Sequence, residues 1–221
     1  ERETSSSPWR AFIGGDRWKI WMINSLTAYK IYSGVFSLAE CLNIEEIGKA
    51  NKKKIGKVAQ KGVGEPEVTN HIIRKSDIYF FAEKWIARRI QETVINANVA
   101  AGWNLQVSDL EPFQFAEYGL GGFYEWHHDS LGGPFVKKGR LTGKVRKLSM
   151  SVLINDASEF DGGEFEVAIG YRRNEICTEV VELKNPGDVV VFPSVLDHRV
   201  RPITRGVRKS LVCWIAGPPF T

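Results

Sequence analysis

Residues 124–129, Tyr-Glu-Trp-His-His-Asp, are the stretch around which the rest of this chain is organised. His127 and Asp129 stand two positions apart, and residues two apart on a β-strand point to the same face with Cα atoms about 6.6 Å apart. An imidazole and a carboxylate can therefore converge on one metal ion. His128 points to the opposite face from Asp129, so His127 is the preferred ligand. A metal site also needs a third ligand and an open coordination position.

Downstream of Glu111 the sequence consists of short β-rich runs separated by Gly, Pro, Asp and Asn. Such runs with turn signals between them predict a sandwich, a jelly roll or a barrel. The predicted strands are residues 113–118, 122–128, 147–154, 163–168, 176–183, 187–192, 197–201 and 207–215.

The N-terminal part of the chain predicts strands and scaffold helices. Residues 17–24 and 27–36 are rich in aromatic and β-branched residues, which favour strands. A Ser-x-x-Glu capping box opens a predicted helix over residues 37–51. Apolar residues at spacings of about four predict a longer helix over residues 79–98. We assign no chemistry to these elements.

Composition limits the class of protein. The chain has 221 residues, of which 43% are hydrophobic and 11% aromatic, enough for the core of one composite domain. Its three cysteines lack CxxC spacing, which argues against a disulfide framework and suits a reducing compartment, so we predict a cytoplasmic protein. No apolar run approaches about 20 residues, so no membrane span is predicted. A net charge of +4 permits an anionic ligand but does not indicate nucleic acid.

The third candidate ligand is His198, on a different predicted strand about seventy residues beyond Asp129. A lone histidine is usually structural, and His71, which has no partner motif, is interpreted in that way. Two histidines and one carboxylate with open positions left are the ligand set of non-haem Fe(II) oxygenases. Zinc is the competing metal, because the same donors also serve hydrolases.

The segment after His198 favours iron, because it supplies an arginine. Residues 202–206 predict a turn, so that 197–201 and 207–215 form a hairpin and Arg208 lies across from His198. A buried arginine needs an anionic partner, and a carboxylate gives its guanidinium a bidentate match. An Fe(II) ion, one aspartate and one arginine together leave two positive units, which a 2-oxo dicarboxylate would neutralise.

Residues 111–217 resemble the Fe(II)/2-oxoglutarate-dependent dioxygenases, particularly their prolyl 4-hydroxylase-like branch. Taken singly, HxD and GxR are weak signals, but the ordered set with ten residues from His198 to Arg208 is a strong one. The features that carry the resemblance are, in chain order, Tyr118, Tyr124 in Y-x-x-H-x-D, Asp161-Gly162-Gly163-Glu164, the run 187–193, His198, Gly206-x-Arg208 and Trp214.

The resemblance implies a mainly β fold with a helical annex. The expected architecture is a double-stranded β-helix, or jelly roll, with the N-terminal helices packed on one sheet. Residues 1–110 would hold the N-terminal tail, strands and scaffold helices, and residues 111–221 the catalytic core.

The resemblance also implies the roles of the site residues. No side chain is needed as a general base, because the chemistry belongs to the metal and its cosubstrate. Strand parity supports the cosubstrate-binding role of Tyr118, since Gln114, Ala116 and Tyr118 share one face. For Trp214 plain core packing stays open. The implied residues are the metal ligands His127, Asp129 and His198, the cosubstrate-binding residues Arg208, Tyr118 and Ser149, and the substrate-pocket residues Tyr124 and Trp214.

The implied activity is hydroxylation of a C–H bond, with a prolyl residue or another amino-acid side chain as the target. It would use Fe(II), 2-oxoglutarate and O2, with ascorbate as a further candidate, on a peptide or small-molecule substrate. The alternatives left open are a ligand-binding or oxygen-sensing jelly roll without turnover and a zinc-dependent hydrolase. Nucleic-acid demethylation is disfavoured, and the oligomeric state stays open.

Residues 131–147 follow the HxD motif directly and carry six basic residues. One interpretation is a mobile lid that meets an acidic or peptide substrate. The other, which we favour, is an exposed hairpin without a role in binding.

Overall fold

A computed structural model describes residues 27–56, 73–130, 132–172 and 175–220. The predicted strand 17–24 and His71 lie outside these residues. Among the helices in the described ranges, none is both long and apolar enough to cross a bilayer.

Two sheets face each other across a cleft, and a third sheet has only two strands. Strands are numbered in chain order. The eight-stranded sheet runs in the order β1 (Lys30–Tyr32), β12 (Val189–Pro193), β8 (Val145–Leu153), β15 (Arg208–Gly217), β6 (Phe113–Tyr118), β4 (Asp77–Phe81) and β2 (Lys54–Ile55), with β5 (Asp109–Leu110) paired to β15. The five-stranded sheet contains β11 (Glu175–Val181), β10 (Phe165–Arg172), β13 (His198–Val200), β7 (Phe123–His127) and β3 (Arg74–Lys75). The small sheet pairs β9 (Phe160–Gly162) with β14 (Ile203–Gly206).

The predicted jelly roll with helices on one sheet is confirmed. The eight strands expected downstream of Glu111 all form, with ends displaced by a few residues. Alternation along β15 divides its residues between two layers. Leu211 and Cys213 belong to the core cluster beneath the helices, whereas Arg208 and Ser210 face the other sheet.

Helix α1 (Leu38–Ala50) begins as predicted. Ser37 is its N-cap, the Ser37 side chain accepts a hydrogen bond from the Glu40 N–H, and the Glu40 carboxylate accepts one from the Ser37 N–H. This exchange is the capping box, which satisfies two backbone donors that a helix start otherwise leaves unpaired. The helix buries Cys41 and Ile44 against the eight-stranded sheet.

Helix α2 (Lys84–Ala100) begins later than predicted. Residues 79–81 belong to β4, where Tyr79 pairs with Phe115 of β6. The Tyr79 and Phe115 ring centroids lie 5.8 Å apart, so sheet pairing and aromatic packing outweigh the helical spacing of the apolar residues. The strand predicted over residues 27–36 is likewise shorter, since only Lys30–Tyr32 pairs, with β12.

The predicted hairpin between 197–201 and 207–215 is wrong. β13 lies between β10 and β7 in one sheet, whereas β15 lies between β8 and β6 in the other. The predicted turn is instead the strand β14, which pairs with β9. The chain therefore crosses from one sheet to the other between His198 and Arg208, and the two side chains meet across the gap between sheets rather than across a hairpin.

Candidate metal centre and its pocket

Strand pairing brings the two histidines together. His127 on β7 lies directly opposite His198 on β13, and their ring centroids are 4.2 Å apart. Asp129 stands just past the end of β7, where its N–H donates to the Ser194 carbonyl. Its carboxylate oxygens lie 3.8 Å from Nε2 of His127 and 3.6 Å from Nε2 of His198. One candidate ligand atom from each residue falls within 4.8 Å of the others.

Backbone carbonyls orient both imidazoles. Nδ1 of His127 lies 2.8 Å from the Glu125 carbonyl oxygen, and Nδ1 of His198 lies 2.9 Å from that of Leu196. A proton on Nδ1 leaves Nε2 as the free ligand atom, which is the arrangement that metal-binding histidines use. Burial, helped by the neighbouring His198, lowers the pKa of His127 to about 3, so this ring is neutral.

The neighbours of the histidines have other roles. His128 is exposed, and its Nδ1 lies 3.0 Å from the Ser130 hydroxyl. This places it away from the cluster, in agreement with the preference for His127. Asp197 precedes His198 directly but does not orient its ring, because the Leu196 carbonyl occupies that position.

The Asp129 carboxylate has the properties of a metal ligand. Burial by itself raises its pKa, but His198, His127, Arg146 and Ser149 outweigh burial and hold the pKa below the usual value. The carboxylate is therefore ionised, yet its Oδ2 is buried without a hydrogen-bond partner. A buried anionic oxygen without a donor is costly. A divalent cation held between the two Nε2 atoms would satisfy it, so the residues fit Fe(II).

A cleft between the two sheets opens from these three side chains. Tyr124 stacks on the His127 ring with centroids 3.5 Å apart and an interplanar angle of 14°. The two residues are three apart and would point to opposite faces of a regular strand. A bulge reverses that parity, because three steps along β7 match two along β13. The cleft is lined by Arg74, Gln114, Tyr118, Tyr124, His127, Asp129, Ser151, Phe165, Phe192, His198, Val200, Arg208, Ser210, Val212 and Trp214.

Arg208 and Tyr118 lie side by side on the other sheet, as register partners on β15 and β6. Arg208 is 3% exposed, and burial lowers its pKa, with a smaller opposing effect of Tyr118. No carboxylate from the described parts of the chain forms an ion pair with it. Gly163 makes room for its stem, because a Cβ there would come within 3.1 Å of Arg208 Cδ and would also collide with Ile203.

Two further predicted residues lie near the cleft in different ways. The Ser149 hydroxyl lies 2.9 Å from the Ser194 hydroxyl, and its hydrogen bond to the Asp129 carboxylate helps to lower the pKa of Asp129. Ser151 is the serine of β8 that lines the cleft. Trp214 lines the cleft, and its buried Nε1 has no hydrogen-bond partner. Trp214 therefore presents a polar atom that plain core packing would not leave unpaired.

The basic loop that follows Asp129 is tied to the rest of the structure. It is closed by backbone hydrogen bonds between Phe135 and Lys144 or Gly143. Its Arg140 and Lys144 both pair with Asp109. Arg146 pairs with Glu111, so three of the six basic side chains form ion pairs, and the two carboxylates together offset two of the six positive charges. These ion pairs anchor the loop to the rest of the structure.

Arg146 is a residue that sequence reasoning did not assign to the site. It binds both oxygens of Glu111 at 2.6 and 2.8 Å and donates to the Asp129 backbone carbonyl at 3.3 Å. Its guanidinium also lies 4.0 Å from the Trp214 ring. It therefore braces the segment that carries Asp129, a candidate metal ligand. Its place in a basic run concealed this, because charge alone does not reveal a buried partner.

Fold and site together define a jelly-roll protein with a two-histidine, one-carboxylate cluster that could hold a metal ion. Residues 113–216 match the model of the family described as the 2OG-Fe(II) oxygenase superfamily. The match covers just under half of the chain, and it agrees with the resemblance that the sequence predicted.

Curated relatives are hydroxylases. A PKHD-type hydroxylase from Teredinibacter turnerae is 35% identical over 106 residues, which cover 48% of this chain and 43% of the relative. Another from Synechococcus sp. is 27% identical over 185 residues, covering 81% of this chain and 77% of the relative. The chain thus spans less than half of the first relative's length and about three quarters of the second's.

Solved structures share the fold. A Trichoplax adhaerens prolyl hydroxylase in complex with a hypoxia inducible factor oxygen degradation domain peptide has a TM-score of 0.62 and 15% identity, covering 85% of this chain and 83% of that one. A Pseudomonas putida prolyl-4-hydroxylase has a TM-score of 0.57 and 20% identity, covering 87% and 94%. At this identity the likeness establishes the architecture, and function depends on the site.

Proposed function

We propose that this chain is an Fe(II)- and 2-oxoglutarate-dependent hydroxylase of amino-acid side chains, with prolyl residues as the first candidates. One observation carries the proposal. The buried side-chain atoms without a hydrogen-bond partner, over the described residues, are Nη2 of Arg74, Oδ2 of Asp129 and Nε1 of Trp214. All three residues line the same cleft. Native proteins leave few such atoms unpaired, so a cleft that collects them is built to bind.

The metal would be held by His127, Asp129 and His198. When bound, Fe(II) with 2-oxoglutarate and O2 supplies the oxidation that couples decarboxylation of the cosubstrate to hydroxylation of a C–H bond. The chain itself positions the reactants. Arg208, buried and without a carboxylate partner in the described residues, would take the distal carboxylate of 2-oxoglutarate in a bidentate pair. The Tyr118 hydroxyl, from the neighbouring strand, would donate to the same group.

The aromatic side chains around His198 would exclude water from the reaction. The rings of Phe192 and Phe165 lie 4.7 and 5.4 Å from the His198 ring, centroid to centroid. Both residues line the cleft. Aromatic walls exclude water, which strengthens the electrostatic interactions inside and limits side reactions.

The choice of substrate is supported by the relatives, which carry the names PKHD-type hydroxylase and prolyl hydroxylase, one of them bound to a peptide. We extend the proposal to ascorbate as the reductant that keeps the iron ferrous, and to the cytoplasm as its location. All three cysteines are free thiols, in keeping with a reducing compartment.

Turnover tests the proposal. The purified protein, supplied with Fe(II), 2-oxoglutarate, ascorbate and a set of prolyl peptides, is expected to form succinate and to add one oxygen atom to a peptide. Asp129→Ala should abolish both products. Asp161→Ala is the matched control, because that carboxylate is exposed and pairs with Arg205 away from the cleft. Undiminished succinate formation in Asp129→Ala would refute the assignment, as would equal turnover with zinc in place of iron.

A further inference from the structure

The cleft contains a second arginine, Arg74, which the roles proposed so far leave unused. Arg208 enters from the eight-stranded sheet, whereas Arg74 enters from β3 at the edge of the five-stranded sheet. Arg74 is 4% exposed. Its Nε donates to the Ser76 hydroxyl at 2.8 Å, and its Nη2 is buried without a partner. A guanidinium that is held by one nitrogen keeps the rest of its donor fork for a ligand.

The surroundings of Arg74 fix the direction of that fork. Its guanidinium carbon lies 4.5 Å from the centroid of the Tyr124 ring, and Tyr124 in turn stacks on the metal ligand His127. The backbone at Gly56 also packs closely against it, since a Cβ there would lie 2.7 Å from Arg74 Nε and 2.5 Å from the Ser76 hydroxyl. These contacts hold the buried arginine next to Tyr124 and the candidate metal ligands.

Among the described residues, the charges of the cleft leave Arg74 without a counterion. Fe(II), Asp129, Arg208 and doubly charged 2-oxoglutarate are neutral together. Arg146 is neutralised by Glu111. Arg74 then adds one positive unit, and the groups it bonds among the described residues include the Ser76 hydroxyl but no carboxylate. A buried charge without a partner is costly, so the filled cleft calls for one more anion.

We propose that Arg74 binds a carboxylate of the substrate that is hydroxylated, and so determines specificity for an anionic substrate. The inference rests on the proposed function and narrows its substrate class. The target is an amino acid that bears or adjoins a carboxylate, such as a chain end with a free α-carboxylate or an acidic residue. A planar guanidinium pairs with a carboxylate through two parallel hydrogen bonds, which a neutral amide cannot match.

The test compares charged and neutral probes that are otherwise the same. The holoenzyme with Fe(II) and 2-oxoglutarate is titrated anaerobically with a pool of N-acetyl amino acids and, separately, with the matching pool of N-acetyl amino-acid amides. The readout is the perturbation of the visible band of the Fe(II)–2-oxoglutarate complex. Turnover of 2-oxoglutarate is then measured in air with each pool. We expect the acids to perturb the band at a concentration at least about tenfold lower than the amides require, because one charged hydrogen-bonded pair contributes a difference of this size.

Variants assign this preference to Arg74. Arg74→Gln should remove the preference for acids, and Arg74→Lys, which keeps the charge but loses the fork, should retain part of it. Arg205→Gln is the matched control, because Arg205 is exposed and pairs with Asp161 outside the cleft. It should leave the preference unchanged.

Three results would overturn the inference. The first is a wild-type enzyme whose visible band responds equally to the acid and amide pools, or to neither pool. The second is a preference for acids that is unchanged in Arg74→Gln and Arg74→Lys. The third concerns the dissociation constant of 2-oxoglutarate. If Arg74→Gln raises it as much as Arg208→Gln does, Arg74 binds the cosubstrate rather than the substrate. Failure of the proposed function is a separate result, because it appears as the absence of the visible band before any probe is added.

Discussion

At the scale of single residues, the cluster of candidate metal ligands could be predicted because its residues stand in local motifs. His127 and Asp129 stand in one HxD motif, and Arg208 follows His198 by only ten residues. Arg74 could not be found in this way. It reaches the cleft because β3 pairs with β7 at Tyr124, fifty positions further along the chain, and no local pattern encodes that pairing.

Arg208 provides the prediction that belongs to this scale. Arg208→Gln is expected to raise the dissociation constant of 2-oxoglutarate by roughly 30-fold or more, since the loss of a buried charged hydrogen-bonded pair costs about 2 kcal/mol or more. Arg208→Lys should fall between, because the charge remains but the bidentate geometry is lost. Isothermal titration with Fe(II)-loaded protein measures both. Unchanged affinity in Arg208→Gln would remove this residue from the cosubstrate site.

At the scale of elements, strand parity correctly predicts which residues share a face of a regular strand, and it fails where a strand is bulged. Along β15 it placed Arg208 and Trp214 on one face, and both line the cleft. Parity does not predict the bulge that turns Tyr124 toward His127. The turn predicted over residues 202–206 is also wrong, because these residues contain the strand β14. Bulges and sheet-to-sheet crossings depend on partners far along the chain, so a local pattern cannot specify them.

The element that supports Arg208 offers a second prediction. Gly163 has φ +68°, and a Cβ there would press on Arg208 and Ile203. Gly163→Ala should therefore weaken 2-oxoglutarate binding as well as lower the denaturation midpoint. Gly102→Ala is the matched control, because Gly102 has φ +70° but an added methyl group there would meet no atom within 4 Å. It should lower stability without changing affinity, and an equal loss of affinity in both variants would contradict the role of Gly163.

At the scale of the whole molecule, the eight-stranded sheet separates scaffold from chemistry. One face packs on α1 and α2 through a core that includes Ile44, Ile90 and Leu211. The other face looks toward the five-stranded sheet and carries Tyr118 and Arg208. The pattern of short strands and helices, together with the family resemblance, predicted this layering. They did not predict that β4 and β2 extend the sheet, and the division of the chain at residue 110 stays a prediction.

The central claim is that His127, Asp129 and His198 hold an iron ion to which 2-oxoglutarate binds. Anaerobic addition of Fe(II) and 2-oxoglutarate together tests it most directly, by visible absorption. We predict a metal-to-ligand charge-transfer band in the wild-type protein and in Asp161→Ala, and its loss in Asp129→Ala. A wild-type protein that shows no band, or an Asp129→Ala variant that keeps it at full intensity, would contradict the claim.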